Sequence, residues 1–118
     1  MLTSLLISAM MLVESGGYAG AVGDGGRALG VLQIHAGVVA DVNQYYGTTY
    51  THADAFDHFA AIRICRLYLA MHVPRNATPE IYARIWNGGP HGNKKASTLK
   101  YWKKVEQKYN ELRRIHGS

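Results

Sequence analysis

The sequence predicts an all-α fold: about five helices around a buried central one, with a minimal β-like segment near residues 28–34. Three observations predict it. Apolar residues recur at helical spacing in successive segments, glycine, proline or capping residues close most of those segments, and one segment is apolar nearly all round. At 118 residues, 47% hydrophobic and 18% charged, the chain can bury about 65% of its unfolded surface. It is expected to form a single domain over 1–118.

The elements follow in order. Leu2, Leu6, Met10 and Val13 share one helical stripe and Leu5, Ala9 and Leu12 another, which predicts a buried helix from about Thr3 to Glu14, stopped by Ser15-Gly16-Gly17. This apolar start lacks the positively charged n-region of a cleavable leader, and it is too short to cross a bilayer. No stable membrane insertion is expected. Val38, Val42 and Tyr45 mark a short helix ending at Gly47. Thr51 or Asp54 could cap the next helix, which runs to about Val73 before Pro74. Its stripes, Phe59, Ile62, Cys65 and Leu69 beside Ala61, Ile64 and Tyr68, leave little polar surface, so it belongs at the centre. Cys65 is then a packed core thiol and not a nucleophile.

Thr78 is a good N-cap, Pro79 suits the first helical position and Glu80 favours the positive end of the helix dipole. That helix should end at Asn87, because Gly88-Gly89-Pro90 cannot continue it. After a linker-like stretch, His91–Ala96, a last helix starts near Ser97 with Leu99, Trp102, Val105, Tyr109 and Leu112 on one stripe and its lysines largely off it.

The charge is uneven. From residue 91 onward eight basic residues face two acidic ones, whereas the first ninety hold five basic and six acidic, giving +5 for the whole. A basic C-terminal quarter suits a polyanion or is simply a solvated helix face. A nucleic-acid-binding reading would need aromatics or arginines aimed at bases, but Trp102 and Tyr109 sit on the apolar stripe. No nucleic-acid partner is expected. One cysteine forbids an intramolecular disulfide, and the six scattered histidines form no HExxH or zinc-finger spacing, so no metal and no cofactor is expected.

Residues 12–34, LVESGGYAGAVGDGGRALGVLQI, are chemically unusual. Within them GDGGRA matches the dinucleotide pattern GxGxxA, but a helix precedes these glycines where that fingerprint needs a strand. Glu14 closes an apolar helix, at the end where a negative charge is least favoured. Its apolar flanks should partly desolvate it and raise its carboxyl pKa, as a general acid near neutral pH requires. The alternative is a glutamate emerging into solvent at a helix end. Asp24 amid glycines could be a turn residue, and Gln33 could merely bond to backbone.

ESGG, GDGGRALGVLQI, ARIWNGGPHG and STLKYWKKV, in that order, resemble the lysozyme-like superfamily over about residues 5 to 105. The first two resemble the soluble lytic transglycosylase pattern. The later two resemble invertebrate-type (destabilase-like) lysozymes, whose signature is Ala-Arg-Ile-His-Asn-Gly-Gly-Pro followed by Tyr-Trp-x-Lys-Val. The chain departs from the latter in holding one cysteine, and in Trp86 where that family often has His and transglycosylases have Tyr. It is closer to cysteine-poor bacterial or phage-like members.

The resemblance implies a lysozyme (muramidase) that cleaves the β-1,4 bond between N-acetylmuramic acid and N-acetylglucosamine. Glu14 matches the catalytic acid, and Asp24 falls near the second carboxylate of invertebrate-type lysozymes, with spacing about one residue off. Ser15 matches the serine after the acid. Gln33 matches the cleft glutamine, and Asn87-Gly88-Gly89 the loop that holds N-acetyl groups. Trp86 and Tyr101 join the substrate-binding set, and the chain is expected to act as a monomer on peptidoglycan at the cell wall. In the two-carboxylate template, itself drawn from another lysozyme, a separation of about 5 Å means retention and about 6.5–9.5 Å inversion. If Glu14 worked alone, the muramyl 6-hydroxyl would attack and leave the anhydro sugar of a lytic transglycosylase. A wall-binding relative without catalysis is the remaining alternative.

Overall fold

A computed structural model describes residues 1–116. Gly117 and Ser118, the end of the expected domain and of its basic quarter, lie outside the described residues. The elements are α1 (Ser4–Ser15), β1 (Val22–Gly23), β2 (Ala28–Leu29), α2 (Ala36–Tyr46), α3 (His58–His72), α4 (Pro79–Gly88) and α5 (Leu99–His116). Short 3₁₀ turns fill positions 24–26, 52–56, 92–94 and 96–98. Among the described residues the fold is therefore mostly α, with the expected five helices, and the β content is one small antiparallel pair, Val22 opposite Leu29 and Gly23 opposite Ala28, extended by a bridge from Leu29 to Ile34. Among the described residues no helix is long and apolar enough to cross a membrane.

The chain divides into two compact units, residues 14–68 and residues 1–13 with 69–118. In the unit of residues 14–68, the buried apolar residues are Ala28, Val31, Leu32, Ile34, Val39, Val42, Ala55, Ala61, Ile64, Cys65 and Tyr68. Each fully buried Val, Leu or Ile among them contributes about 1.5–3 kcal/mol of transfer free energy. Helix α2 stops at Gly47, whose left-handed backbone (φ 69) lets its N–H reach the Asn43 carbonyl. Asn43 then fixes the following loop: its Oδ1 accepts from Tyr50 N and Thr48 Oγ1, while its Nδ2 donates to Tyr50 O.

The third helix begins later than the sequence predicts. Thr51 and Asp54 do form a reciprocal capping box, but on the 3₁₀ turn His52–Phe56. Asp57 is extended (φ −87, ψ 123) and breaks the run, and its own carboxylate then accepts the Ala60 N–H at 2.8 Å. Nor is α3 buried all round. Its inner side carries Ala61, Ile64, Cys65, Tyr68 and Leu69, while Phe59 is 75% exposed and Arg63 and Arg66 are exposed.

In the other unit the buried apolar side chains are Leu6, Ile7, Ala9 and Met10 from α1, Leu69 from α3, Ala77, Ala83, Ile85 and Trp86 around α4, and Trp102 and Val105 from α5. Thr3 caps α1 by accepting the Leu6 N–H, and Thr78 caps α4 by accepting the Ile81 N–H. The α5 stripe is buried at its middle. Leu99 at its start is 42% exposed, because the chain enters through the 3₁₀ turn Ala96–Thr98.

Candidate active site

The residues singled out in sequence fall into two groups, one in each unit, each held by its own network.

In residues 14–68 the group is built on the end of α1. Glu14 is the penultimate helical residue and is half-buried. Its negative charge reaches the interior: Cys65 is fully buried, and burial first, then the Glu14 charge, push its thiol far above its ordinary range against a smaller opposing pull from Arg66. Cys65 is thus an inert core thiol beside an acid. Ser15 donates its hydroxyl proton to the Val31 carbonyl at 2.8 Å and accepts the Gly17 N–H at 3.2 Å. The hydroxyl thereby ties the helix end to the segment after β2. Gly16 and Gly17 both have positive φ (66 and 85), which lets the chain reverse there without a Cβ clash.

Gln33 has a similar holding role. It sits in the left-handed region (φ 51), and its Nε2 donates to the carbonyls of Gly30 at 3.0 Å and Ala21 at 3.3 Å. Its amide oxygen lies where a Cβ on residue 23 would stand, so glycine at 23 is what lets the glutamine in. Gly30 (φ 80) is equally constrained: a Cβ there would enter the Ala55 carbonyl. Gln33 therefore fastens the hairpin, with its two amide protons committed to backbone.

Asp24 stands on the tip of that hairpin in a left-handed conformation (φ 49), followed by Gly25 and Gly26, also at positive φ. Asp tolerates this region better than most side chains. The side chain is 48% exposed and lies between two basic groups, Arg27 Nη2 at 3.1 Å from Oδ1 and His35 Nε2 at 3.4 Å from Oδ2. The Arg27 hydrogen bond, then its charge, hold the Asp24 carboxyl below its ordinary value; desolvation opposes them only in part, and His35 adds the smallest lowering contribution. The pair likewise pushes Arg27 up. Asp24 is therefore a persistently ionised, outward-facing carboxylate. Neither Arg27 nor His35 was singled out by sequence reasoning, although an arginine three residues after an acid in a turn is a recognisable pairing signal.

The second group, in the other unit, surrounds Asn87-Gly88-Gly89. Arg84 organises it: Nη1 binds Glu80 Oε2 at 2.7 Å, Nε donates to Thr98 Oγ1 at 2.8 Å and Nη2 to the Lys95 carbonyl at 3.0 Å. Thr98, 1% exposed, has its hydroxyl 2.7 Å from the Gly92 carbonyl and 2.9 Å from that of Lys95, one proton serving both. Lys95 Nζ donates to the Gly88 carbonyl at 2.7 Å. The Gly89 N–H closes α4 on Ile85, and its own carbonyl receives the Gly92 N–H. Gly92 admits no Cβ, because the Arg84 carbonyl occupies that space. On this rigid turn Asn87 is exposed. Trp86 is only 9% exposed and packs in the core, leaving little of its ring to offer a ligand, and Tyr101 is half-buried. A separate pocket of about 260 Å³ lies at the other end of α4, lined by Thr78, Glu80, Trp102, Glu106, Tyr109 and Arg113 among others. It contains none of the nine residues picked from sequence.

Comparison with known proteins bears on what these groups do. Over 64 residues the chain is 42% identical to a protein of Magallana gigas named Lysozyme, a match covering 52% of this chain and 46% of that one. A second, from Ostrea edulis and also named Lysozyme, is 40% identical over 57 residues, 46% of this chain and 42% of that one. The chain thus spans less than half the length of these curated relatives. No family model matches it. Its structure superposes on a chain of the crystal structure of Aeromonas hydrophila PliI in complex with Meretrix lusoria lysozyme. The TM-score is 0.76 at 25% identity, over 90% of this chain and 89% of that one.

Proposed function

Given that the chain belongs to the lysozyme-like superfamily, on its invertebrate-type side, we propose that it is a glycosidase of peptidoglycan. It cleaves the β-1,4 bond between N-acetylmuramic acid and N-acetylglucosamine, with Glu14 as general acid and Asp24 as the second carboxylate. The observation that carries this reading is the unlike setting of two acids in one unit. Glu14 is half-buried at the end of an apolar helix with its charge felt in the core, whereas Asp24 is exposed and kept ionised chiefly by Arg27, with His35 against its other oxygen. Glycoside hydrolysis needs that division: one group delivers a proton to the leaving oxygen, and another stays negative to attack, activate water or steady the oxocarbenium ion.

The remaining roles follow from what each residue already does. Ser15 and Gln33 hold the hairpin that carries Asp24 and meet sugar only through their remaining acceptor sites. Asn87, with the Gly88 and Gly89 backbone, holds the N-acetyl groups, and Tyr101 completes the binding set. Trp86 supports that loop from the core. The chain acts as one catalytic domain and as a monomer. It works at the cell wall, whether secreted, periplasmic or phage-delivered, and the basic residues of α5 favour its approach to an anionic wall.

The test is fragment analysis of purified peptidoglycan digested by the wild type, Glu14→Gln and Asp24→Asn. Reducing muramic acid ends that disappear in both variants are expected. Anhydro ends produced equally well by Asp24→Asn would overturn the two-carboxylate mechanism, and unaltered clearing by Glu14→Gln would overturn the assignment of the acid.

A further inference from the structure

The basic groups flanking Asp24 have an arrangement that the two-carboxylate scheme does not require. Its two oxygens are engaged separately, Oδ1 by Arg27 Nη2 at 3.1 Å and Oδ2 by His35 Nε2 at 3.4 Å. The two partners come from different places in the chain. Arg27 lies at the end of the 24–26 turn, and its backbone N–H also donates to the Asp24 carbonyl at 3.2 Å. His35 lies beyond β2, at the N-cap of α2, and its side chain caps no helical N–H. The backbone bridge between Leu29 and Ile34 brings it to the hairpin tip. A histidine in the N-cap position with no capping bond, turned instead to a carboxylate, contributes little to its helix.

All three side chains are substantially exposed, 48% for Asp24, 73% for Arg27 and 50% for His35. Exposed ion pairs contribute little to stability, so the cluster is poorly explained as a structural brace. A carboxylate with a partner at one oxygen can still rotate about its χ2, whereas one with a basic group against each oxygen is held closer to a single plane. Holding the plane matters where an oxygen must meet an anomeric carbon or a water along one line.

We infer that Arg27 and His35 are positioning residues for the reaction: together they clamp both oxygens of Asp24 and orient its carboxylate toward the scissile bond. This rests on the proposed role of Asp24. The clamp also accounts for an aspartate in a left-handed conformation at the hairpin tip, since that backbone conformation sets the carboxylate between the two basic groups.

The experiment compares kcat and KM on soluble chitooligosaccharide or solubilised peptidoglycan for Arg27→Ala, His35→Ala and Asp24→Asn, singly and in pairs. Melting temperatures and the titration of Asp24, followed by carboxyl-carbon NMR, are measured in parallel. Arg27→Ala and His35→Ala are each expected to lower kcat about 10-fold or more with KM changed less than about 2-fold, as loss of an interaction used in the transition state does. Melting should be almost unchanged. Arg27→Lys and His35→Gln should recover part of the loss. In the Asp24→Asn background neither alanine substitution should cost anything further. Arg27→Ala should also move the Asp24 titration, and the acid limb of the rate profile, upward toward an ordinary carboxylate.

Failure of the underlying reading is distinguishable. If Asp24→Asn leaves kcat intact, Asp24 is not the second carboxylate, and the clamp has no reaction to serve. If Asp24→Asn abolishes turnover while both alanine variants stay within about 2-fold of wild type in kcat, Asp24 acts but the clamp does not. Where Asp24→Asn turns over too slowly for the pairs to be measured, the NMR titration decides. An Asp24 titration unmoved by Arg27→Ala overturns the clamp.

Discussion

The two glycine-rich turns of this chain are stiffened in opposite ways. The hairpin over 22–29 is fastened by neutral side chains that reach back to backbone carbonyls, Ser15 to Val31 and Gln33 to Gly30 and Ala21, while its charges are displayed outward at the tip. The Asn87-Gly88-Gly89 turn is fastened by charge itself. The Arg84 side chain, 12% exposed, spans Glu80, Thr98 and Lys95 with its guanidinium, and Lys95 reaches Gly88. The turn then presents an amide and backbone groups to solvent. A turn that spends its cations on its own frame offers neutral hydrogen bonds to a ligand. A turn framed by neutral groups can offer a carboxylate whose electrostatics are set separately. In the proposed reaction these are the two jobs, holding the sugar and breaking its bond.

The sharpest way to break that division is to compare Glu14→Gln with Asn87→Ala. Removing a general acid costs about 10²–10⁴-fold in rate, so Glu14→Gln should abolish measurable clearing of cell walls with folding retained by circular dichroism. Asn87→Ala removes one neutral hydrogen bond, about 0.5–1.5 kcal/mol, and should lower kcat/KM by about 10-fold or less. An Asn87→Ala loss as large as that of Glu14→Gln would mean that the 87–89 turn takes part in the chemistry and not only in binding.

The second comparison is steric. A Cβ on residue 30 would enter the Ala55 carbonyl, and one on residue 92 would enter that of Arg84, but only Gly30 also needs positive φ. Both alanine substitutions should destabilise by at least about 2 kcal/mol, because neither backbone can yield without breaking its neighbours. Gly30→Ala should cost more, since strain adds to the clash. Urea unfolding gives the order directly, and the reverse order would show that the hairpin relaxes more easily than the 87–92 turn.

These contrasts also show what could be seen in the sequence and what could not. Helix ends were visible wherever a single residue decides them: Gly47 stops α2 and Thr78 starts α4, as their spacing and type predict. The start of α3 was not, because Thr51 and Asp54 make a genuine capping box that serves a 3₁₀ turn, and Asp57 then caps the helix proper. Periodicity placed Phe59 on an apolar stripe, but the side of a helix that is covered depends on tertiary neighbours, and Phe59 stays exposed. Glu14, Asp24 and Gln33 stood out as polar residues in apolar or glycine-rich surroundings. His35 did not. Its place beside Asp24 depends on the register of β1 with β2 and the bridge to Ile34, a long-range pairing that no local pattern encodes. Trp86 sits on α4 as expected, yet only packing reveals that its ring faces inward.

A smaller effect is expected at Thr98. Its hydroxyl is nearly inaccessible and serves Arg84, Gly92 and Lys95 together. Thr98→Val keeps the shape but leaves those partners underpaired, a cost of about 1–3 kcal/mol. Thr98→Ser retains the hydroxyl and should recover most of it. A Thr98→Ser variant that melts below Thr98→Val would show that the methyl group, not the hydrogen bonds, matters at this position.

The smallest effect separates stability from activity at Asp24. Its folded-state pKa is depressed, chiefly by Arg27. Whatever it contributes to stability is therefore complete above the unfolded-state value of about 3.9 and is lost as pH falls through the lower folded value. Because the carboxylate and both its partners are exposed, salt screens that contribution: the Debye length is about 30 Å at 0.01 M and about 8 Å at 0.15 M. Asp24→Asn should leave the melting temperature at neutral pH and 0.15 M salt essentially unchanged. At low salt it should flatten slightly the fall in stability with acid. A loss of melting temperature at neutral pH and moderate salt as large as that of Thr98→Val would mark Asp24 as a structural member of its hairpin. Its left-handed backbone would then serve the fold before it served the reaction.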